Sequence, residues 1–125
     1  MKPRRITWIA VALLAALLAG CGAAAGICYL QGGRFHAIAH TVVNALAMDS
    51  GIICDGAKAS CAAKIASALD AALLAHNLAM KGKVYEANSG ILQDDAGHTI
   101  SSVGYIGKVG MKQTDAEIVK LMIGK

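Results

Sequence analysis

Ala57-Lys-Ala-Ser-Cys-Ala-Ala-Lys-Ile-Ala-Ser-Ala-Leu-Asp-Ala-Ala-Leu-Leu-Ala-His-Asn-Leu-Ala-Met80 is the longest run of helical periodicity in this 125-residue chain. Cys61, Ile65, Leu69, Ala72, Leu73, His76 and Met80 recur at the spacing of one helix side, and that side is expected to face the core. Asp55-Gly56 before it reads as a turn, with Asp55 as the N-cap. Alanine is so frequent here that neighbouring helices can approach closely.

Working outward, Arg34 to Met48 reads as a second helix, with Ile38, Val42, Ala45 and Leu46 at helical spacing and Phe35, Ala39 and Val43 beside them. Gln31-Gly32-Gly33 stops the helix before it, and Asp49-Ser50-Gly51 ends it. Ile52-Ile53-Cys54 is a short apolar stretch expected to be buried. Downstream, Lys81 to Gly97 is a polar, glycine-bearing loop or hairpin containing the turn Asn88-Ser89-Gly90. His98 to Met111 is expected to be helical. Gly104, Gly107 and Gly110 weaken it by about 1 kcal/mol each relative to Ala, and form a smooth stripe suited to close helix contact. Thr114-Asp-Ala-Glu117 has the pattern of a capping box and opens a last helix to about Ile123. There are no internal repeats.

The composition agrees with an all-α, compact Ala/Gly-rich domain. It is 56% hydrophobic and 4% aromatic, with 14 Gly and 1 Pro. Only 16% of residues are charged, which is low for a free-standing soluble surface. Such a surface is either covered by other protein or meets lipid. The net charge of +4 is spread out, with no basic stripe interleaved with aromatics, so nucleic acid is not the expected partner.

The N-terminus carries three readings. Lys2, Arg4 and Arg5 precede an uncharged run from Ile6 to Gly33, and Leu18-Ala-Gly-Cys21 resembles a lipoprotein signal. The run is also long enough for a membrane anchor. Gly20, Gly22 and Gly26 interrupt it, and that fits a buried helix of small residues. Residues 1–19 are therefore set apart as a hydrophobic N-terminal segment, and residues 20–125 as the domain proper.

The four cysteines are Cys21, Cys28, Cys54 and Cys61. Six residues separate Cys54 from Cys61, too many for a zinc finger or ribbon pair. With Cys54 just before a helix and Cys61 in its second turn, both sulfurs can meet near the helix N-terminus. The helix dipole and unpaired N–H groups there favour an anionic, thiolate-ligated cluster. Simple burial is the commonest fate of a free cysteine and competes with that reading. His36 and His40 lie four apart on one helix, but no Glu stands between them and no third ligand is near, so no metal site is expected there. Asp94-Asp95 reads as a solvated loop.

The stretch from Asn44 through Ile52-Ile-Cys54-Asp-Gly-Ala-Lys-Ala-Ser-Cys61 to Ser67 resembles the C-terminal part of the iron–sulfur L-serine dehydratase alpha-domain family. It looks closest to the branch of L-cysteine desulfidases. Ala24-Ala-Gly-Ile-Cys-Tyr-Leu-Gln-Gly-Gly33 and Gly104-Tyr-Ile-Gly-Lys-Val-Gly-Met-Lys-Gln-Thr-Asp115 carry the same likeness. It covers roughly Gly20 to the C-terminus. The resemblance implies a 4Fe-4S cluster on three cysteines, with one iron open to substrate. Cys54 and Cys61 match two of the ligands. Cys21, in Gly20-Cys21-Gly22, matches the third better than Cys28, which lies inside an apolar helix segment.

The implied activity is a cytoplasmic carbon–sulfur or carbon–oxygen lyase of amino-acid catabolism. L-cysteine or L-serine would lose its α-proton and β-group to give pyruvate and ammonia, with sulfide or water. Lys58 and Lys64 are candidates for orienting anionic groups, although solvated lysines explain Lys64 equally well. Members of that family are several times longer. This chain thus resembles a fragment of a larger helical catalytic domain, completed by a partner chain or by a missing N-terminal region, and no catalytic base is assigned within it. The competing expectation is a membrane lipoprotein of non-enzymatic function.

Overall fold

The computed structural model describes residues 19–53 and 59–124. The expectations for residues 1–18, Cys54, the Asp55-Gly56 turn and Lys58 fall outside them. The described residues are helical with no strand, as the composition and periodicity predict. Residues 19–30 belong to α1. It is followed by α2 (Phe35–Asp49), α3 (Ala59–Met80) and α4 (Ala96–Tyr105). A π-helical turn (Ile106–Gly110) then leads into α5 (Lys112–Met122).

Gly32 and Gly33 make the turn between α1 and α2. Gly32 has φ +85°, a left-handed conformation that a glycine adopts without penalty. The Gly33 N–H donates to the Cys28 carbonyl at 2.8 Å. A Cβ on Gly33 would collide with the Cys28 sulfur and stand 2.7 Å from its carbonyl oxygen. The chain therefore reverses tightly and α2 runs back along α1.

The core lies where α1, α2, α3 and α4 meet. Cys21, Ala24, Ala45, Leu46, Ala72, Ala75 and Val103 form it. Small residues dominate, so backbones come close: Gly20 approaches Ala68, where a Cβ would lie 3.0 Å from the Ala68 carbonyl oxygen. This closeness overturns the expected orientation of α3. Its buried residues are Ala68, Ala72, Ala75, His76 and Ala79. Ile65, Leu69, Leu73 and Met80, expected inside, are 37–45% exposed. Only Ala72 and His76 of the expected face are buried. Packing against the neighbouring helices selects the alanine face, because a leucine face would hold the helices apart.

Buried polar groups lock the layers together. Asn44, fully buried, donates from Nδ2 to the carbonyls of Lys83 (3.0 Å) and Ala75 (3.4 Å). Its Oδ1 accepts from the Tyr85 N–H at 3.2 Å. Thr41 donates to the Ala37 carbonyl at 2.8 Å. Thr99 accepts from the Gln93 N–H at 3.1 Å and ties α4 to its preceding loop.

Three local expectations change in the C-terminal half. α4 starts at Ala96 rather than His98 because Asp95 caps it, its side chain accepting from the His98 N–H at 2.8 Å. Asp95 also pairs with His98 Nδ1 at 2.6 Å, so it is a cap and not merely a loop residue. Among the described residues, the glycine stripe meets no neighbouring helix. Gly104 and Gly107 have open space where a Cβ would stand, and Gly110 meets only Ile106. Thr114 and Glu117 form no capping box, because α5 has already begun at Lys112. The preceding turn leaves no bare helix end: the Met111 N–H donates to Ile106, and the Asp115 N–H to Met111. Glu117 accepts instead from Gln113 and Lys120.

Asp49, 1% exposed, closes α2. Its Oδ2 has no hydrogen-bond partner among the described residues. Burial raises its pKa from 3.8 to about 6, and burial also raises that of Asp115. An acid whose folded pKa is raised binds more protons in the native than in the unfolded state between the two values. Its stabilisation is thus full below the unfolded pKa and is lost as pH rises through the folded one. For Asp49 that window is about pH 4 to 6 and the loss is about 3 kcal/mol. Asp49→Asn should therefore stabilise the metal-free protein at pH 7 and change it little near pH 3, below the unfolded pKa. Urea unfolding of both proteins at both pH values checks this; an equal difference at the two pH values would refute it.

Candidate functional site

The cysteines and the end of α2 define the candidate site. Cys61 sits half-buried in the first turn of α3. Cys54 lies outside the described residues, five positions after Asp49 and five before Ala59. Among the described residues, no disulfide involves Cys21 or Cys28. Among the described residues, no group of three His, Cys, Asp or Glu side chains is close enough to hold a metal.

Cys21 and Cys28 are both buried, at 4% and 0% exposure, so burial does not separate them. Position along the helix does. Asp49 raises the pKa of Cys21 through its charge, which places Cys21 at the end of α2 that leads into Cys54. Cys28 packs on Gly33 at the opposite end, seven residues or about 10 Å away along α1. α1 and α3 run parallel, since Gly20 meets Ala68 while Gln31 meets His76. Cys61 lies seven residues before Ala68, about 10 Å beyond the level of Cys21. Cys28 is thus roughly twice as far along the axis from Cys61 as Cys21 is.

The chemistry of the donor set fits a thiolate-bound cluster in kind. Cys21 and Cys61 belong to helices that share this end, Cys54 follows from it, and Asp49, whose Oδ2 is orphaned, is near enough for its charge to act on Cys21. In the metal-free protein, burial first and the Asp49 charge second push the Cys21 thiol up to about 11. It is a neutral thiol at pH 7, and metal binding there must release its proton.

Further groups lie around this end and its opposite. A cavity of about 460 Å³ is lined by Ala47, Met48, Ser50, Tyr85, Ser89 and Leu92. It opens against the end of α2 that leads to Cys54. His76 is 2% exposed, with Nε2 2.9 Å from Gln31 Oε1. Its Nδ1 has no partner among the described residues. His36 and His40 stand with ring centroids 6.4 Å apart, and His36 packs edge-on against Phe35. Asp49 and Gln31 were not singled out by sequence reasoning. Asp49 sits at a helix end, where an acidic residue ordinarily signals a turn, and only its burial marks it as different.

Cys21 lies inside α1 and packs in the core. No helix of the described residues is long and apolar enough to cross a membrane.

A family model described as serine dehydratase alpha chain matches residues 5–120. A UPF0597 protein of Desulfitobacterium hafniense is 50% identical over 109 residues, covering 87% of this chain and 25% of that protein. One of Lachnoclostridium phytofermentans is 51% identical over 108 residues, covering 86% and 26%. One of Cutibacterium acnes is 40% identical over 114 residues, covering 91% and 32%. The chain spans about a quarter of the length of the first two. No solved structure matches it.

Proposed function

This chain belongs to the serine dehydratase alpha chain family, and from that premise we propose that residues 20–125 are the cluster-binding, C-terminal part of an iron–sulfur amino-acid lyase. The substrate class is a β-substituted amino acid. L-cysteine and water would give pyruvate, ammonia and sulfide, and L-serine would give pyruvate and ammonia. Cys54, Cys61 and Cys21 would hold a 4Fe-4S cluster. When bound, it supplies an electrophilic iron that polarises the β-substituent as it leaves.

The remaining roles fall to the chain's own side chains. Asp49 positions Cys21 from the end of α2. Met48, Ser50 and Tyr85 line a cavity large enough for an amino acid. The carrying observation is the grouping of Cys21 and Asp49 at the end of α2 that runs into the Cys54–Cys61 block, with Cys28 at the far end. A thiolate cluster of this kind needs reduced cysteines, which supports a cytoplasmic site of action. Sequence of the kind that fills out the relatives' length would complete the active site.

Anaerobic reconstitution of the full chain with ferrous iron and sulfide tests this. About four iron and four sulfide per chain should survive desalting, with visible absorbance that bleaches in air. A protein that keeps its helicity but retains no iron would sink the proposal.

A further inference from the structure

Of the four histidines, two are already engaged. Nδ1 of His98 pairs with Asp95 at 2.6 Å, and Nε2 of His76 stands 2.9 Å from Gln31 Oε1. His36 and His40 differ. Among the described residues, neither ring makes a hydrogen bond or an ion pair. His36 is exposed and His40 half-buried, so neither ring is sealed in the core. They lie four residues apart on α2, about 6 Å along the axis and about 40° around it, and so project from the same side. Their ring centroids stand 6.4 Å apart, with the planes inclined at 48°. Two imidazoles bound to one tetrahedral ion, at metal–nitrogen distances of about 2.0–2.1 Å, hold their centroids about 5 Å apart. The rings therefore have about 1 Å to close, which side-chain rotation at the exposed His36 can supply. The missing Glu and third ligand count against a catalytic or fully protein-ligated centre here. They do not count against an open pair.

We propose that His36 and His40 form an open two-histidine site for a divalent transition-metal ion, with water completing the coordination. The surroundings select the ion. No acidic residue precedes Asp49 in the sequence. Arg34 lies two positions before His36, at the N-terminal end of α2, where the helix dipole also opposes a cation. Mg²⁺ and Ca²⁺ need oxygen ligands and negative charge, and gain nothing there. Copper, nickel and zinc ions gain from imidazole nitrogen, with Cu²⁺ bound most tightly. The site lies at the opposite end of α2 from Asp49, shares no residue with the cysteine site, and does not rest on the cluster.

The test is calorimetric titration of Zn²⁺ into the full chain carrying Cys54→Ser/Cys61→Ser, which removes the thiols of the cysteine block. One Zn²⁺ per chain should bind, Cu²⁺ should bind more tightly, and Mg²⁺ should not bind. His36→Gln and His40→Gln should each weaken Zn²⁺ at least tenfold, and His98→Gln should leave it unchanged. Circular dichroism follows the helicity of each variant. If a variant loses helicity, the ring proton resonances of the protein with all its histidines decide. Shifts on adding Zn²⁺ that are confined to His36 and His40 support the site, and shifts at His76 or His98 instead overturn it. Absence of Zn²⁺ binding overturns it. So does an affinity that either His36→Gln or His40→Gln leaves unchanged, an equal loss in His98→Gln, or Mg²⁺ bound as tightly as Zn²⁺. A stoichiometry of half an ion per chain would put the ion between two copies and overturn it too.

Discussion

Asn44→Ala is expected to destabilise the protein by about 3–5 kcal/mol, more than any other single polar truncation in the fold. The side chain is fully buried and holds three backbone groups from two later segments. The Ala75 carbonyl belongs to α3, while the Lys83 carbonyl and the Tyr85 N–H belong to the loop that follows it. Truncation removes all three bonds and leaves buried groups with nothing to accept or donate. Each such group costs about 1–3 kcal/mol. Asn44→Asp is the informative companion. It keeps an acceptor for the Tyr85 N–H but turns a carboxylate oxygen toward two carbonyls, so it should recover little. Urea unfolding measures the loss, and amide exchange at Tyr85 locates it, since the 83–85 segment should open first. A cost below about 1 kcal/mol with Tyr85 still protected would show that the α2–α3 contact stands without this residue.

Asn44 also shows where reading the sequence runs out. Helical spacing located α2 within one residue at each end, Phe35–Asp49 against the expected Arg34–Met48. Spacing alone, however, ranks faces by apolar size. That ranking assigns Ile38 and Val42 to the core, whereas Thr41, Asn44 and Asp49 are the more deeply buried. The same bias turned α3 the wrong way, because alanine scores as weakly hydrophobic yet wins where backbones must approach. The lost capping box has another cause. Thr114 and Glu117 have the right spacing, but the signal assumes a free helix start, and the π turn after Tyr105 removes it. The glycine stripe misled because a smooth face permits a close neighbour without supplying one. For the site, the Cys54–Cys61 block and the preference for Cys21 come from the residues and their family likeness alone, and they enter the function as proposals. Asp49 was not legible, since its significance lies in burial near a thiol twenty-eight positions earlier.

Serine in place of Cys54 or Cys61 is expected to abolish iron retention after reconstitution, and the decisive contrast is between Cys21→Ser and Cys28→Ser. Each of the latter two places a hydroxyl in a buried position, and each should lower the stability of the metal-free protein by about 1–2 kcal/mol. Stability therefore cannot tell them apart, and iron can. Cys21 lies at the end of the bundle where α2 leads into Cys54, and Cys28 lies about two helical turns away against Gly33. A cluster's sulfur ligands share one small coordination sphere, and Cys28 lies about 10 Å farther along α1 from Cys61 than Cys21 does, so it is the less able of the two to join that sphere. Cys21→Ser should lose its iron and its charge-transfer absorbance while remaining helical. Cys28→Ser should keep both. Raising the pH during loading should help the unaltered protein, because the Cys21 thiol, held near 11 by burial and by Asp49, must give up its proton to bind. Iron retained in Cys21→Ser and lost in Cys28→Ser would move the third ligand to the other end of α1. Iron retained in both Cys54→Ser and Cys61→Ser would remove the cluster from this end of the bundle altogether.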